Sequence, residues 1–332
     1  MRRIHLVFLL AVAAATGAKA DDAAIVQAIY RDWMIPRSAE LVAESAQLTR
    51  AAQDFCAASP QESETALNRV RREWNATLLA WERVSTVAIG PVLENRMQSR
   101  LDFTPTRPRM ITKAVETAPS GASDMDRTGS PAKGFPALEW LLWTRPMQPS
   151  SPECRYAVQI AMEIEREAQS MEKAFRAAAV GVLDANAAKS ALGDFVNQWV
   201  GGLDRLRWTE MVQPVQRAAT AERKTAPEFP RGASGATAAS WARQWATLRE
   251  LAVGAGPGSF ASMLRERGHG MVADRLAQSV EVANAGMKGL DTGDPEKVMA
   301  SARRLTALKS LVEDEVAPAL GLHIGFSDAD GD

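Results

Sequence analysis

The sequence predicts an all-α protein built as two antiparallel four-helix-bundle-like domains packed together, and three observations predict it. Large apolar residues recur in steps of three and four over long stretches, helix-start signals stand in front of several of those stretches, and no six-residue segment alternates with a period of two. The 332 residues, 46% hydrophobic and 24% charged, have the balance of an ordinary globular protein, which excludes disordered and collagen-like classes. This length suits about two domains, each able to bury its own core.

Met1 to Ala20 reads as a secretory signal. Arg2 and Arg3 form the charged start, Leu6 to Ala15 the apolar run, and Ala18-Lys19-Ala20 the small-x-small cleavage pattern. The run of about ten residues falls short of the roughly twenty that span a bilayer. The expectation is export to the periplasm, with no membrane span in the mature chain. Of the 39 Lys and Arg residues three lie in this segment, and of the 40 Asp and Glu none do, so the remainder carries a net charge of −4. Such a chain lacks the basic footprint of a nucleic-acid binder.

Cys56 and Cys154 are the only cysteines. An even pair in an oxidising compartment predicts a disulfide, which would close a loop of about a hundred residues and contribute about 4–5 kcal/mol in the chain-entropy account. Neither cysteine has C-x-x-C spacing, so redox catalysis and a zinc knuckle are not predicted.

The helices follow in order. Between Glu64 and Ala88, Leu67, Val70, Trp74, Leu78, Trp81 and Val84 trace one face. Ser59-Pro60-Gln61-Glu62 before it offers a capping serine, a proline for the first turn and a glutamate to close a capping box. A second face runs through Tyr156, Ile160, Ile164, Met171 and Phe175, with Ser151-Pro152 as its start signal, and a third through Leu192, Phe195, Trp199, Leu203 and Leu206. Trp241, Trp245, Leu248 and Leu251 form a fourth, and Leu305, Leu308, Val312, Val316 and Leu320 a fifth, started by Asp294-Pro295. Most of the nine tryptophans sit at such core spacings. Residues 103–134, with Pro105, Pro108, Pro119, Gly121, Gly129 and Pro131, read as a long irregular loop in the first domain. The domain boundary is expected near 184, giving 21–183 and 184–332 after the signal at 1–20.

Much catalytic chemistry is missing from the sequence. Histidine occurs only at His5, His269 and His323, and there is no H-E-x-x-H, G-x-S-x-G, P-loop or dinucleotide fingerprint. Three constellations stand out instead. In Gly134-Phe135-Pro136-Ala137-Leu138-Glu139, Pro136 suits a first helical turn and places Glu139 near the positive end of the helix dipole. In Arg231-Gly232-Ala233-Ser234, the arginine suits bidentate grip of a carboxylate or phosphate, and Ser234 suits a helix cap. In the tail, Asp328, Asp330 and Asp332 match the first half of a calcium loop.

With these segments in view, the chain resembles the imelysin family, in its exported imelysin-like branch. The resemblance runs through Trp81 and Arg83, Gly90-Pro91, Arg100-Leu101-Asp102-Phe103 with Pro105, the Gly134–Trp143 block, Cys154-Arg155, Arg231-Gly232-x-Ser234, and Gly325-Phe326 through Asp330-Gly331-Asp332. It implies two four-helix bundles with a site where they meet, and membership among exported proteins often linked to iron acquisition. Some relatives were named metallopeptidases for a G-x-H-x-x-E motif, but here Pro136 stands at the histidine and only Glu139 remains. Thr104 and Thr106 also depart from the tryptophan and aspartate that relatives tend to carry.

The resulting expectation is a non-enzymatic periplasmic binding or accessory protein with a polar site between the bundles. The candidate ligand-binding residues are Glu139, Arg231, Ser234, Pro136, Trp81, Arg100 and Asp330, with no catalytic residue. The partner would be a small ligand or a periplasmic or outer-membrane protein. No cofactor is predicted; iron or haem handling is the alternative by family association, for which Glu139, Asp328 and Asp330 offer oxygen and His323 nitrogen. A buried Glu139–Arg231 pair that merely holds the domains together competes with the ligand-site reading.

Overall fold

The computed structural model describes residues 21–221, 223, 225–256 and 258–325, and among them there are helices and connections but no strand. The secretory-signal segment, Asp328 and Asp330 lie outside the described residues. In the first half, α1 (Asp22–Ala28) passes through a π-helical turn at Ile29–Met34 into α2 (Ile35–Ala57). Then come α3 (Ser63–Ser85), α4 (Pro91–Glu94), α5 (Met97–Leu101), α6 (Pro108–Thr117), α7 (Gly121–Arg127), α8 (Gly134–Thr144) and α9 (Pro152–Ala179). The second half holds α10 (Ala185–Asp204), π-helical Arg205–Val212, α11 (Gln213–Thr220), α12 (Thr237–Val253), α13 (Phe260–Glu266), α14 (Gly270–Met287), α15 (Pro295–Leu311), π-helical Val312–Val316 and α16 (Ala317–Ala319).

The apolar faces read from the sequence are the faces that pack. α2 lies between α3 and α9, and α8 leans on both of those helices. α14 packs against α12, α13 and α15, while α10 packs on α12, α15 and the N-terminal α1. α3 and α12 meet directly and join the two helix sets along one seam. A single apolar cluster runs through both sets, and Trp74, Trp81, Trp199 and Trp241 are its largest fully buried side chains. Trp208 differs from the core reading, since it faces solvent.

The start signals behave as local chemistry requires. Ser151 accepts from the Cys154 N–H and Asp294 from the Lys297 N–H, each followed by proline in the first turn. The Ser59 hydroxyl donates to Glu62 at 2.6 Å, but that contact closes a turn, and α3 begins only at Ser63. Cys56 at the end of α2 and Cys154 in the first turn of α9 form a disulfide with Cα atoms 5.7 Å apart, spanning 98 residues.

The long irregular loop expected at 103–134 is not irregular. It folds into α6, α7 and a 3-10 turn at Ser130–Ala132. Its prolines and glycines are helix punctuation: Pro108 opens α6 and Pro131 lies in the first turn of the 3-10 segment. Ala118 ends α6 in the left-handed conformation, and Gly121 opens α7 at φ +76°.

Two glycines set the approach of helices at the seam. A Cβ on Gly202 of α10 would lie 2.0 Å from the Thr86 carbonyl oxygen, so α10 crosses the end of α3 at backbone contact. Arg205, one residue beyond α10, donates to the Ser85 and Thr86 carbonyls at 3.2 and 3.1 Å and satisfies the C-terminal end of α3. Because backbone cannot give way as a side chain does, Gly202→Ala is expected to destabilise the fold by about 2–3 kcal/mol, read as a lower urea midpoint at unchanged far-UV helicity.

Candidate functional site

The seam gathers four carboxylates around one guanidinium. The last turns of α3 are buried nearly all round, with Thr77, Leu78, Ala80, Trp81, Glu82, Val84 and Ser85 out of solvent. Glu82 therefore has no route to water and turns to α12, where the Ser240 hydroxyl donates to its Oε1 at 2.7 Å. On α12, Thr237, Ser240, Trp241, Gln244 and Trp245 recur at helical spacing on the covered face. Gln244 Nε2 donates to the Ser240 oxygen at 3.1 Å and to both oxygens of Glu210, at 3.0 and 2.9 Å. Glu210 sits on the π-helical stretch after α10; part of the residue reaches solvent, but its carboxylate turns inward onto buried Gln244. Gln244 Oε1 and Trp241 Nε1 are buried with no hydrogen-bond partner among the described residues.

The other two acids come from the first helix set. Asp102, just past α5, accepts from Trp81 Nε1 at 3.2 Å and from the Arg231 guanidinium in an ion pair. Glu139, in the second turn of α8, accepts from both the backbone N–H and the hydroxyl of Ser234, at 3.0 and 2.7 Å. Gly134 makes this juxtaposition possible. It has φ +77°, and a Cβ there would lie 2.2 Å from the Leu101 carbonyl oxygen, so α8 starts in backbone contact with the end of α5.

Arg231 and Ser234 belong to a turn ahead of α12. The Phe229 ring packs edge-on against Trp241, centroids 5.1 Å apart, and Thr237 Oγ1 donates to the Pro230 carbonyl at 2.6 Å. Gly232, Ala233 and Gly235 face solvent while Arg231 is buried, so the cluster lies one chain thickness below the surface. Arg231 has φ +61°, a left-handed conformation that disfavours a branched side chain and marks stored backbone strain.

The electrostatics are lopsided. Burial, then the neighbouring Glu210 charge, pushes the Glu82 carboxyl up to about 8, with Arg231 and Ser240 opposing. Burial also raises Glu210, against the Gln244 hydrogen bond and the Arg231 charge. Burial alone works against the Arg231 charge, but Asp102 and Glu82 outweigh it and hold the guanidinium more firmly protonated than usual.

Four of the sequence's candidates thus converge: Glu139, Arg231, Ser234 and Trp81. Glu139 and Arg231 are not each other's direct partners, because Asp102 takes the guanidinium and Ser234 takes Glu139. Ser234 does not cap α12 in the expected way; the cap position is Ala236, whose N–H meets the Ser234 oxygen at 3.4 Å. Pro136 is buried in the first turn of α8 and brings no donor. Arg100 leaves the seam and pairs with Glu167 of α9. His323 is exposed beyond α16. Glu82, Asp102, Glu210, Ser240 and Gln244 were not singled out. An acid after the apolar run Leu78–Trp81 and two residues before Val84 was the one local sign of Glu82.

Among the described residues no three His, Cys, Asp or Glu side chains stand close enough to hold a metal ion. The seam carboxylates face serine, glutamine and arginine donors, so the residues as arranged do not fit a resident metal.

An all-helical chain whose two helix sets meet on a buried acidic seam is the class of protein that this fold and site define. The imelysin family model, which carries a peptidase label, matches residues 34–318, and the chain belongs to that family. Among solved structures it is similar to an imelysin-like protein from Psychrobacter arcticum, with a TM-score of 0.78 and 18% identity over 92% of this chain and 97% of that one. It is also similar to the "putative iron-regulated protein A precursor" of Parabacteroides distasonis, with a TM-score of 0.73 and 13% identity over 90% of this chain and 96% of that one. At these identities the likeness speaks for the fold alone. No curated protein matches the sequence.

Two outcomes are expected from the cluster. Removing its guanidinium leaves the Asp102 carboxylate without its partner cation, so Arg231→Met is expected to cost about 3–5 kcal/mol in denaturant unfolding at neutral pH. Glu82 holds its proton to about 8 when folded, against a usual 4.5, so the folded state binds the extra proton between those values and stability falls as pH rises through that window. Melting temperatures from about pH 5 to pH 9 are expected to decline less steeply in Glu82→Gln than in the parent.

Proposed function

We propose that the chain is an exported, periplasmic imelysin-like binding or accessory protein without peptidase activity, and that it takes a cationic ligand at the α3–α12 seam. The observation that carries this reading is the excess of acids: Glu82, which holds its proton up to about 8, and Asp102, Glu139 and Glu210 surround Arg231 as the one guanidinium that pairs within the cluster, with the Arg205 charge acting on Glu210. A purely structural lock between helix sets needs matched charges, because each unmatched buried carboxylate destabilises the fold. An acid excess under a strained surface turn is the pattern of a site arranged for something else. The secretory-signal pattern at 1–20 supports export, and no helix among the described residues is long and apolar enough to cross a membrane. The proline at 136, where the resemblance to the family would place a histidine, supports the non-enzymatic part.

A second reading, iron or haem as cargo, is favoured by the name of the Parabacteroides neighbour and by the affinity of carboxylates for hard cations. Calorimetric titration of the mature chain with ferrous iron, ferric iron, calcium and haem separates the two readings. Glu139→Gln is the diagnostic variant, since its amide oxygen still accepts from Ser234 and the charge alone is lost. Binding is expected to weaken about tenfold or more in this variant at unchanged melting temperature, and to tighten as pH rises toward 8, where Glu82 gives up its proton. Titrations of all four probes without heat and without thermal protection remove the iron and haem reading. Equal binding by parent and variant removes the seam as the site.

A further inference from the structure

A polar cavity lies beside α5, away from the seam. It has a volume of about 720 Å³, and its walls come from four separate elements. Arg100 reaches it from α5, Arg127 from α7, Lys133 from the residue before α8, and Arg166 from α9; Asp126 and Glu167 complete its charged lining. Asp126 and Glu167 face these four cations in the lining, and Glu163 and Asp124 pair with Lys133, Arg166 and Arg127 from behind it, so the charges of the network balance.

The cationic groups are held in place. Lys133 is only 5% exposed, and its ammonium donates to the Met125 carbonyl at 2.7 Å and to Glu163 at 2.9 Å. Arg166 bonds Glu163 through Nε and Nη2, and Asp126 through Nη2 at 2.5 Å. Arg100 bonds Glu167 through Nη2. Those contacts hold the Arg166 guanidinium through two nitrogens and tether that of Arg100 through one, leaving Nη1 of each unengaged by any described residue. Burial raises the Glu167 carboxyl, against the pull of Arg100. The rim is open, since Asp126, Arg127 and Gly129 are exposed. A network that only tethered α7 to α9 would need no open cavity between them.

We propose that this cavity binds a small polyanion carrying two or more carboxylate or phosphate groups. The unengaged Nη1 groups on α5 and α9 are charged donors that suit oxyanions. The volume lies in the range of small-molecule sites, and several anionic groups are needed to span walls set on four elements. The proposal is independent of the seam, which shares none of these side chains.

The test is calorimetric titration of the mature chain at low chloride with citrate as the carboxylate probe, pyrophosphate as the phosphate probe, and acetate at matched ionic strength as the control. Saturable one-to-one binding of citrate, pyrophosphate or both, with none for acetate, is the expected result, and the stronger arm identifies the source of the oxyanions. Arg100→Gln is expected to weaken that binding about tenfold or more, and Arg275→Gln, an exposed charge on α14, to leave it unchanged. Arg166→Lys keeps the charge but loses the fork, so it is expected to weaken binding and serves where Arg100→Gln does not fold by circular dichroism. No saturable heat with either polyanion overturns the proposal, as does binding that folded Arg100→Gln or Arg166→Lys leaves intact.

Discussion

The ion pair between Arg231 and Asp102 is the contact on which the seam depends. It joins the turn before α12 to the end of α5, and it supplies the positive charge around which Glu82, Glu139 and Glu210 are buried. Without it, three separated segments would each carry an acid into low dielectric with no cation to offset the desolvation. The left-handed backbone at Arg231 is the local cost of aiming that side chain inward from a turn whose other residues face water. The hydrogen bonds from Ser234 to Glu139 and from Ser240 to Glu82 then tie the same two helix sets in parallel.

The acids arrive there through packing rather than electrostatics. Gly134 lets α8 begin in backbone contact with the end of α5, which brings Glu139 and Asp102 to one side of the first helix set. Gly202 lets α10 cross the end of α3, and Arg205 closes that end through its two last carbonyls. The same crossing carries the π-helical stretch with Glu210 alongside α12, where Gln244 receives it. Close-packed interiors transmit such placements, so a carboxylate one helical turn from a glycine contact has few other positions to occupy.

The helices were legible in the sequence because their faces are apolar at a fixed period, and Leu192 through Leu206 or Tyr156 through Phe175 need only a covering partner to be read. Ser151 and Asp294 were legible because capping acts within three residues. Segment 103–134 was misread, since a proline looks the same whether it breaks a helix or opens one; Pro108 opens one. Half of the seam was visible, as Glu139, Arg231, Ser234 and Trp81 stand in locally unusual segments. Asp102 stood in the Arg100–Phe103 segment without a role, and Glu82, Glu210 and Ser240 are ordinary polar residues locally that acquire meaning only where distant stretches of chain meet. Arg100 shows the converse: its neighbour Asp102 enters the seam while Arg100, two residues away and turned to the other side of the chain, joins Glu167.

The proline at 136 fits this acidic seam better than an imidazole would fit a metal. Positions 136 and 139 lie three apart on α8 and share a face, so whatever stands at 136 adjoins the Glu139 carboxylate. A histidine there could add a positive charge or a nitrogen ligand, whereas the proline ring adds hydrocarbon and removes one backbone N–H. Burial of that ring in the first turn of α8 leaves Glu139 to take its donors from Ser234 across the seam. Pro136 thus keeps that side of α8 apolar, and the hydrogen-bond partners of Glu139 come from the turn before α12.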